Sequence, residues 1–154
     1  MPDGKTHDLI NATVLIIVLS GLYYLGKERT IDLSYLNMPI ILAFSTAYLF
    51  ATFFLSPDLD INSKPYKRWG ILRIIWWPYK VVFKHRGLSH HPVVGPLSIV
   101  MNLAIIVASL LLLAGFELHK IPGTFIIAVT TGMIMSMEVH IISDCLISKL
   151  KSIF

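Results

Sequence analysis

The sequence predicts an all-α protein: a four-span transmembrane helical bundle with a cytoplasmic basic interfacial segment between spans two and three. Three observations lead there. The 154-residue chain is 55% hydrophobic and 14% charged, with a mean hydropathy of +0.72, whereas a soluble domain carries about 25% charged residues. Its apolar residues gather into four stretches that approach or reach the roughly 17 to 25 residues needed to cross a bilayer. Its few charges are sorted along the chain rather than scattered. Length makes residues 1–154 one membrane domain. The single cysteine, Cys145, reads as a small buried apolar residue. One cysteine excludes a disulfide framework and a CxxC zinc knuckle, so any metal must be held by histidines and carboxylates.

The first span covers residues 9–25 and carries Asn11. Asp3 and Asp8 spoil the cationic start of a signal peptide and no A-x-A-like site follows, so this stretch is expected to cross the membrane and stay. Gly26, followed by Lys27, Glu28 and Arg29, closes it. The second span, 36–55, ends at Pro57; the third, 93–116, is the cleanest; the fourth, 122–147, opens at Pro122. No internal repeat or low-complexity tract interrupts them.

The segment 58–92 separates spans two and three. It holds Lys64, Lys67, Arg68, Arg73, Lys80, Lys84 and Arg86 against the acids Asp58 and Asp60, together with Tyr66, Trp69, Trp76, Trp77 and Tyr79, residues that favour the headgroup level. The run between Pro65 and Pro78 reads as a short basic amphipathic helix on the bilayer, each cation contributing about 1 kcal/mol near anionic lipid. Cations interleaved with aromatics also suit nucleic acid, but a position between two spans favours lipid, and no nucleic acid is expected. Four spans put Lys5, these seven cations, Lys149 and Lys151 on one side, against Lys27, Arg29 and Lys120 on the other. The positive-inside rule then places both termini in the cytoplasm of a bacterial inner (plasma) membrane, multi-pass.

That topology sorts the metal-binding residue types without having used them. Asp3, His7, Asp8, Asp58, Asp60, His85, His90, His91, Glu138, His140 and Asp144 fall on the cytoplasmic side; only Glu28, Asp32, Glu117 and His119 do not. Each span delivers candidates to one layer. His140 and Asp144, at i and i+4, share a helix face with Cβ atoms about 5–6 Å apart, close enough to meet on one ion. Asp58 and Asp60 flank Leu59 in an extended or turn-like stretch where i and i+2 point the same way, and two such carboxylates repel unless a cation or proton separates them. His85 and His90 flank Gly87, which permits a tight turn folding both imidazoles inward. Imidazole with carboxylate suits a divalent metal, zinc first, with manganese or iron as alternatives. Glu138 projects from another face of its helix, where a general base, a partner to a ligand and a packing acid are equal readings. Arg86, inside the histidine cluster, is suited to bidentate phosphate contact. Glu138 and Arg86 are thus the candidate catalytic residues.

The opening Met1-Pro2-Asp3-Gly4-Lys5-Thr6-His7-Asp8, the run Phe53-Phe54-Leu55-Ser56-Pro57-Asp58-Leu59-Asp60, the segment from His85 to His90, and Glu138 to Asp144 together resemble a bacterial family of small uncharacterised metal-binding membrane proteins. More loosely they resemble the YdjM-like inner-membrane metal-dependent hydrolases, which pair PD-x-D after a span with HRG-x-(S/T)H and a late H-x-x-x-D. The resemblance covers nearly the whole chain and implies that His7, Asp58, His85, His90, His140 and Asp144 are metal positions, with Asp60 beside them. The doublet His90-His91 departs from the pattern at its second histidine.

The leading expectation is a metal-dependent hydrolase acting at the cytoplasmic face on a phosphate-bearing lipid or small phosphoester. The alternative is a non-catalytic metal-binding sensor or scaffold whose four-helix bundle is held together by the ion. A transporter would place ionisable groups near mid-bilayer, and here they gather at one end. Spacing sets aside membrane desaturases, which need several H-x-x-H-H boxes, and lipid phosphatases with an Arg-led H-x-x-x-D, since no Arg or Lys lies between Lys120 and Lys149.

Overall fold

The computed structural model describes residues 4–28, 36–82 and 91–151, so the expectations placed on His85, Arg86 and His90 fall outside the described residues. Among the described residues the chain is helical and has no strand. In order, α1 is Gly4–Lys27, α2 is Met38–Phe54, α3 is Lys64–Arg68, α4 is Trp77–Val82, α5 is Val94–Leu113 and α6 is Gly123–Lys151; short 3-10 turns lie at Pro57–Asp60, Gly70–Trp76 and Leu118–Lys120. Helices α1, α5 and α6 are long and apolar enough to cross a membrane, whereas α2 has 17 residues and is an apolar helix of shorter length.

The shortness of α2 follows from its ends. The Asn37 side chain accepts from Ile40 N at 3.1 Å and Pro39 occupies the first turn, so the helix starts later than hydropathy alone implies. At the other end Pro57 lacks an N–H and forces the preceding residues extended, and Ser56 Oγ accepts from Asp58 N at 3.2 Å to start the 3-10 turn. The last carbonyls of α2 are taken up by side chains from the following loop. Arg68 Nη1 donates to Phe53 O and Trp69 Nε1 to Phe54 O, each at 2.8 Å. Those bonds supply the partners that a helix end leaves missing.

The basic segment is not one amphipathic helix. Gly70 has φ +54°, a left-handed conformation that glycine tolerates and a helix interior does not, and it divides the segment into α3, a 3-10 turn and α4. The division turns Trp69, Trp76 and Tyr79 inward, in a chain of edge-to-face contacts with centroids 5.3 Å apart for Trp69 and Trp76 and 6.3 Å for Trp76 and Tyr79. These rings form the core with Ala51 and Leu55 of α2, Leu59, Ile99 and Leu103 of α5, and Met137 of α6. Ile71, Ile74 and Trp77 stay on the outside.

Helices α2 and α6 pack along their length. On α2 the buried residues Ala43, Ala47 and Ala51 recur every four positions. On α6 the buried Ala128, Gly132, Ser136, His140 and Asp144 do the same. Small residues at this spacing let helix backbones approach in a lipid environment. The approach is closest at Gly132, where a Cβ would lie 2.5 Å from Phe44 O. A polar contact marks the same seam, with Thr52 Oγ1 and Ser136 Oγ 2.9 Å apart, and on the neighbouring seam to α1 the buried Tyr48 hydroxyl donates to Asn11 Oδ1 at 3.0 Å. Such bonds average about 0.6 kcal/mol in membranes, so backbone proximity dominates the packing and the hydrogen bonds fix its register.

Candidate metal centre

The stripe that starts with small residues on α6 ends with His140 and Asp144, one turn apart and facing α1. On α1, His7, Asn11 and Leu15 are its buried residues and also repeat every four positions. The two stripes therefore converge where His7 meets His140 and Asp144. All three are buried, and one ligand atom from each lies within 4.8 Å of the others. The imidazoles of His7 and His140 stack with centroids 3.9 Å apart and planes 20° from parallel. The 3-10 turn after α2 adds a fourth group, with Asp58 Oδ2 3.6 Å from His140 Nε2. Asp144 Oδ2 is 3.7 Å from the same nitrogen.

Hydrogen bonding assigns the proton on His7. Ser143 Oγ donates its only hydrogen to His140 O at 2.8 Å. The 3.1 Å contact between Ser143 Oγ and His7 Nδ1 must then carry a hydrogen from Nδ1. Neutral His7 consequently presents a lone pair at Nε2, and 3.1 Å away stands Asp144 Oδ1. Two acceptors do not sit at that distance unless a proton or a metal cation lies between them. One proton on His7 would meet that contact alone. It would leave buried His140 Nε2 as it stands, with no hydrogen-bond partner among the described residues.

A divalent ion fits these donors. Two neutral imidazole nitrogens with one or two carboxylates is a donor set suited to zinc or another first-row metal. Bonds of 2.0–2.1 Å in a tetrahedral site put ligand atoms about 3.3 Å apart, so the observed group needs to contract rather than rearrange. A cavity of about 240 Å³ opens on the same cluster, lined by His7, Asp58 and His140 at its floor and by Ser63, Lys64 and Pro65 at its rim.

The other expected residues are placed differently. Asp58 and Asp60 do not point the same way, because residues two apart in a 3-10 turn lie on different faces, not on the common face of an extended strand. Asp58 turns to His140, whereas buried Asp60 lies beside Tyr79, whose phenol is pushed well above its ordinary value by burial and secondarily by the Asp60 charge. Asp8 forms an ion pair with Arg68 at 2.7 Å. Glu138 is half-buried on α6 and does not line the cavity. His91 has a local task, its Nδ1 accepting from Val93 N and Val94 N at 3.3 Å each to cap α5. Cys145 is exposed rather than buried, because the position after Asp144 points away from the α2 and α1 contacts. Sequence reasoning missed Ser143, which the i, i+3 spacing from His140 marks as a neighbour on the ligand face. It also missed Arg68 and Lys64, hidden within a run of cations with no feature to single them out.

An uncharacterized protein of Aquifex aeolicus (strain VF5) is 51% identical over 55 residues, 35% of this chain and 39% of that protein. The match thus spans well under two thirds of that relative. No solved structure matches. The family model described as uncharacterized metal-binding protein (DUF2227) matches residues 2–154, and the chain belongs to that metal-binding family.

Proposed function

We propose that the protein is a four-span inner-membrane hydrolase dependent on a divalent metal, zinc suiting the donors best, and that it acts on a phosphoester or lipid-like substrate at the cytoplasmic face. The observation that carries the metal is the lone pair of His7 Nε2 set 3.1 Å from Asp144 Oδ1, beside a buried His140 Nε2 without a hydrogen-bond partner among the described residues. Hydrolysis rather than a closed structural site is supported by the cavity over the ligands, since a structural ion is enclosed and a catalytic one keeps an accessible position. A bound divalent ion supplies Lewis acidity toward a phosphoryl or acyl oxygen. The residues of the chain hold it: His7 oriented by Ser143, His140 and Asp144 on one helix face, and Asp58 from the turn after α2.

Membrane integration is supported by the three long apolar helices. At 17 residues α2 lies at the lower end of the spanning range, and four crossings gather most cations and the metal cluster on one side. Elemental analysis of detergent-purified protein tests the reading: wild type should carry stoichiometric metal, and His140→Ala and Asp144→Ala should lose it. Full metal content in both folded variants would overturn the site. A metal-replete protein inert toward a broad panel of phosphoesters and lipids would overturn the hydrolase.

A further inference from the structure

Lys64 stands at the rim of the cavity that opens on the cluster. Its side chain is exposed and forms no ion pair among the described residues, although it lines a cavity that also includes Asp8 and Asp58. Asp8 is neutralised by Arg68 at 2.7 Å, and Arg68 is held by Phe53 O on its other side, so Arg68 is committed and Lys64 is not. Lys64 is also fixed in place. It begins α3, where the Ser63 hydroxyl accepts from Tyr66 N at 3.3 Å, and its stem lies against Gly4, so close that a Cβ there would be 2.8 Å from Lys64 Cδ.

The charges around the cavity give this lysine a meaning. Asp8 and Asp58 line the cavity together with Lys64, and Arg68 pairs with Asp8 from beside it. A divalent ion on His7, His140 and Asp144 adds two positive charges beside that lining. The buried His140 Nε2, which has no hydrogen-bond partner among the described residues, lines the same cavity and marks where the ion belongs. The cavity's 240 Å³ is below the roughly 300–1,000 Å³ of pockets that enclose drug-sized ligands, the size for a head group and not for a whole lipid.

We infer that the metal-loaded cavity is a two-point site for a phosphate-type oxyanion, one side of the anion meeting the ion at the floor and the other meeting the Lys64 ammonium at the rim. This rests on the proposed metal centre and deepens it by naming the substrate class and its anchoring cation. Binding is ordered by charge: the ion supplies the floor contact for the anion, and without it Lys64 is the one cation in the described lining. By linkage, phosphate must tighten the metal by the same factor by which the metal tightens phosphate.

The experiment uses the full chain in uncharged detergent, with and without Mn²⁺; inorganic phosphate binding is measured by equilibrium dialysis in both states, and paramagnetic relaxation of the ³¹P signal in the loaded state reports proximity to the ion. Phosphate should bind the loaded protein and not the metal-free protein. Lys64→Met keeps the stem against Gly4 and should weaken phosphate binding about tenfold or more with Mn²⁺ affinity unchanged, as expected for a lost charge-assisted contact. Lys64→Arg should recover most of it. Repeating the titration in nanodiscs assigns the source: displacement of phosphate by phosphatidate but not phosphatidylcholine identifies a lipid head group, and no displacement identifies a soluble phosphate. Equal phosphate binding with and without Mn²⁺, or wild-type binding by Lys64→Met, overturns the inference while leaving the metal centre standing. A wild-type chain that retains no Mn²⁺ or Zn²⁺ overturns both.

Discussion

His7 Nε2 and Asp144 Oδ1 lie 3.1 Å apart although 137 positions separate them in the chain. The contact joins the first turn of α1 to the last turns of α6, with His140 stacked on one side and Asp58 reaching in from the end of α2. Acceptors this close and this far apart in the chain call for a proton or a cation between them.

Ser143 orients His7 from the side opposite the proposed ion, through the ring's Nδ1. Ser143→Ala removes the acceptor for Nδ1–H and frees the ring to take the other tautomer or turn. Loss of such an orienting partner typically weakens metal affinity about 10- to 100-fold. Competition with a chromogenic chelator should show a drop in that range with helical content unchanged. An unaltered affinity would remove Ser143 from the centre.

Asp58 and Asp60 should separate cleanly. Asp58→Asn is expected to lower metal affinity more than Asp60→Asn does, because Asp58 Oδ2 lies 3.6 Å from His140 Nε2 and lines the cavity, whereas Asp60 does not line it. Asp60→Asn should instead lower the pH at which Tyr79 ionises, by removing a negative charge that opposes the phenolate. The value should stay above 10, since burial is the larger cause. The raised phenol stabilises the fold below about pH 10 and that contribution is lost as pH rises further. Ultraviolet titration of the phenolate checks both signs.

Gly132 is where α2 and α6 touch through backbone. Gly132→Ala puts a methyl against Phe44 O and should cost about 1–3 kcal/mol, as overpacking does. Thermal unfolding in detergent should show the loss, and metal affinity should fall with it because the ligands continue the same stripe. Gly123→Ala, at a position with nothing within 4 Å of the added carbon, is the control and should leave both unchanged.

Chelation should loosen the whole molecule. The proposed ligands come from α1, the turn after α2, and α6, so an ion at 100 times its dissociation constant would stabilise the folded state by about 2.7 kcal/mol. Stripping it is expected to lower Tm by several degrees, restored by Zn²⁺. A Tm indifferent to chelator in protein shown to carry metal would mean that the ion contributes nothing to the fold.

Much of this was legible in the sequence, for identifiable reasons. The apolar stretches of α1, α5 and α6 are long enough that hydropathy alone places them, and a Pro after Ser56 is sufficient to end α2. His140 and Asp144 were readable as a pair because helical periodicity makes i and i+4 neighbours. The pairing of that turn with His7 depended on two helices crossing at a particular depth, and only topology hinted at it. The basic segment was misread as one helix because its pattern of cations and aromatics is amphipathic, yet one glycine in a left-handed conformation redirects three aromatic rings inward. The divergence of Asp58 and Asp60 could not be read, since a D-x-D motif looks the same in an extended strand and in a 3-10 turn.

The four-residue spacing on α6 has a mechanical consequence. Ala128, Gly132 and Ser136 set how near α2 can come, and His140 and Asp144 continue the same row. Sliding α6 by one turn would put Ser136 where His140 now meets His7 and carry Asp144 past Asp58. In the proposed centre, metal occupancy and helix register would therefore be one variable: the bundle could not slip without breaking the ligand cluster, and a bound ion would pin α6 against slipping.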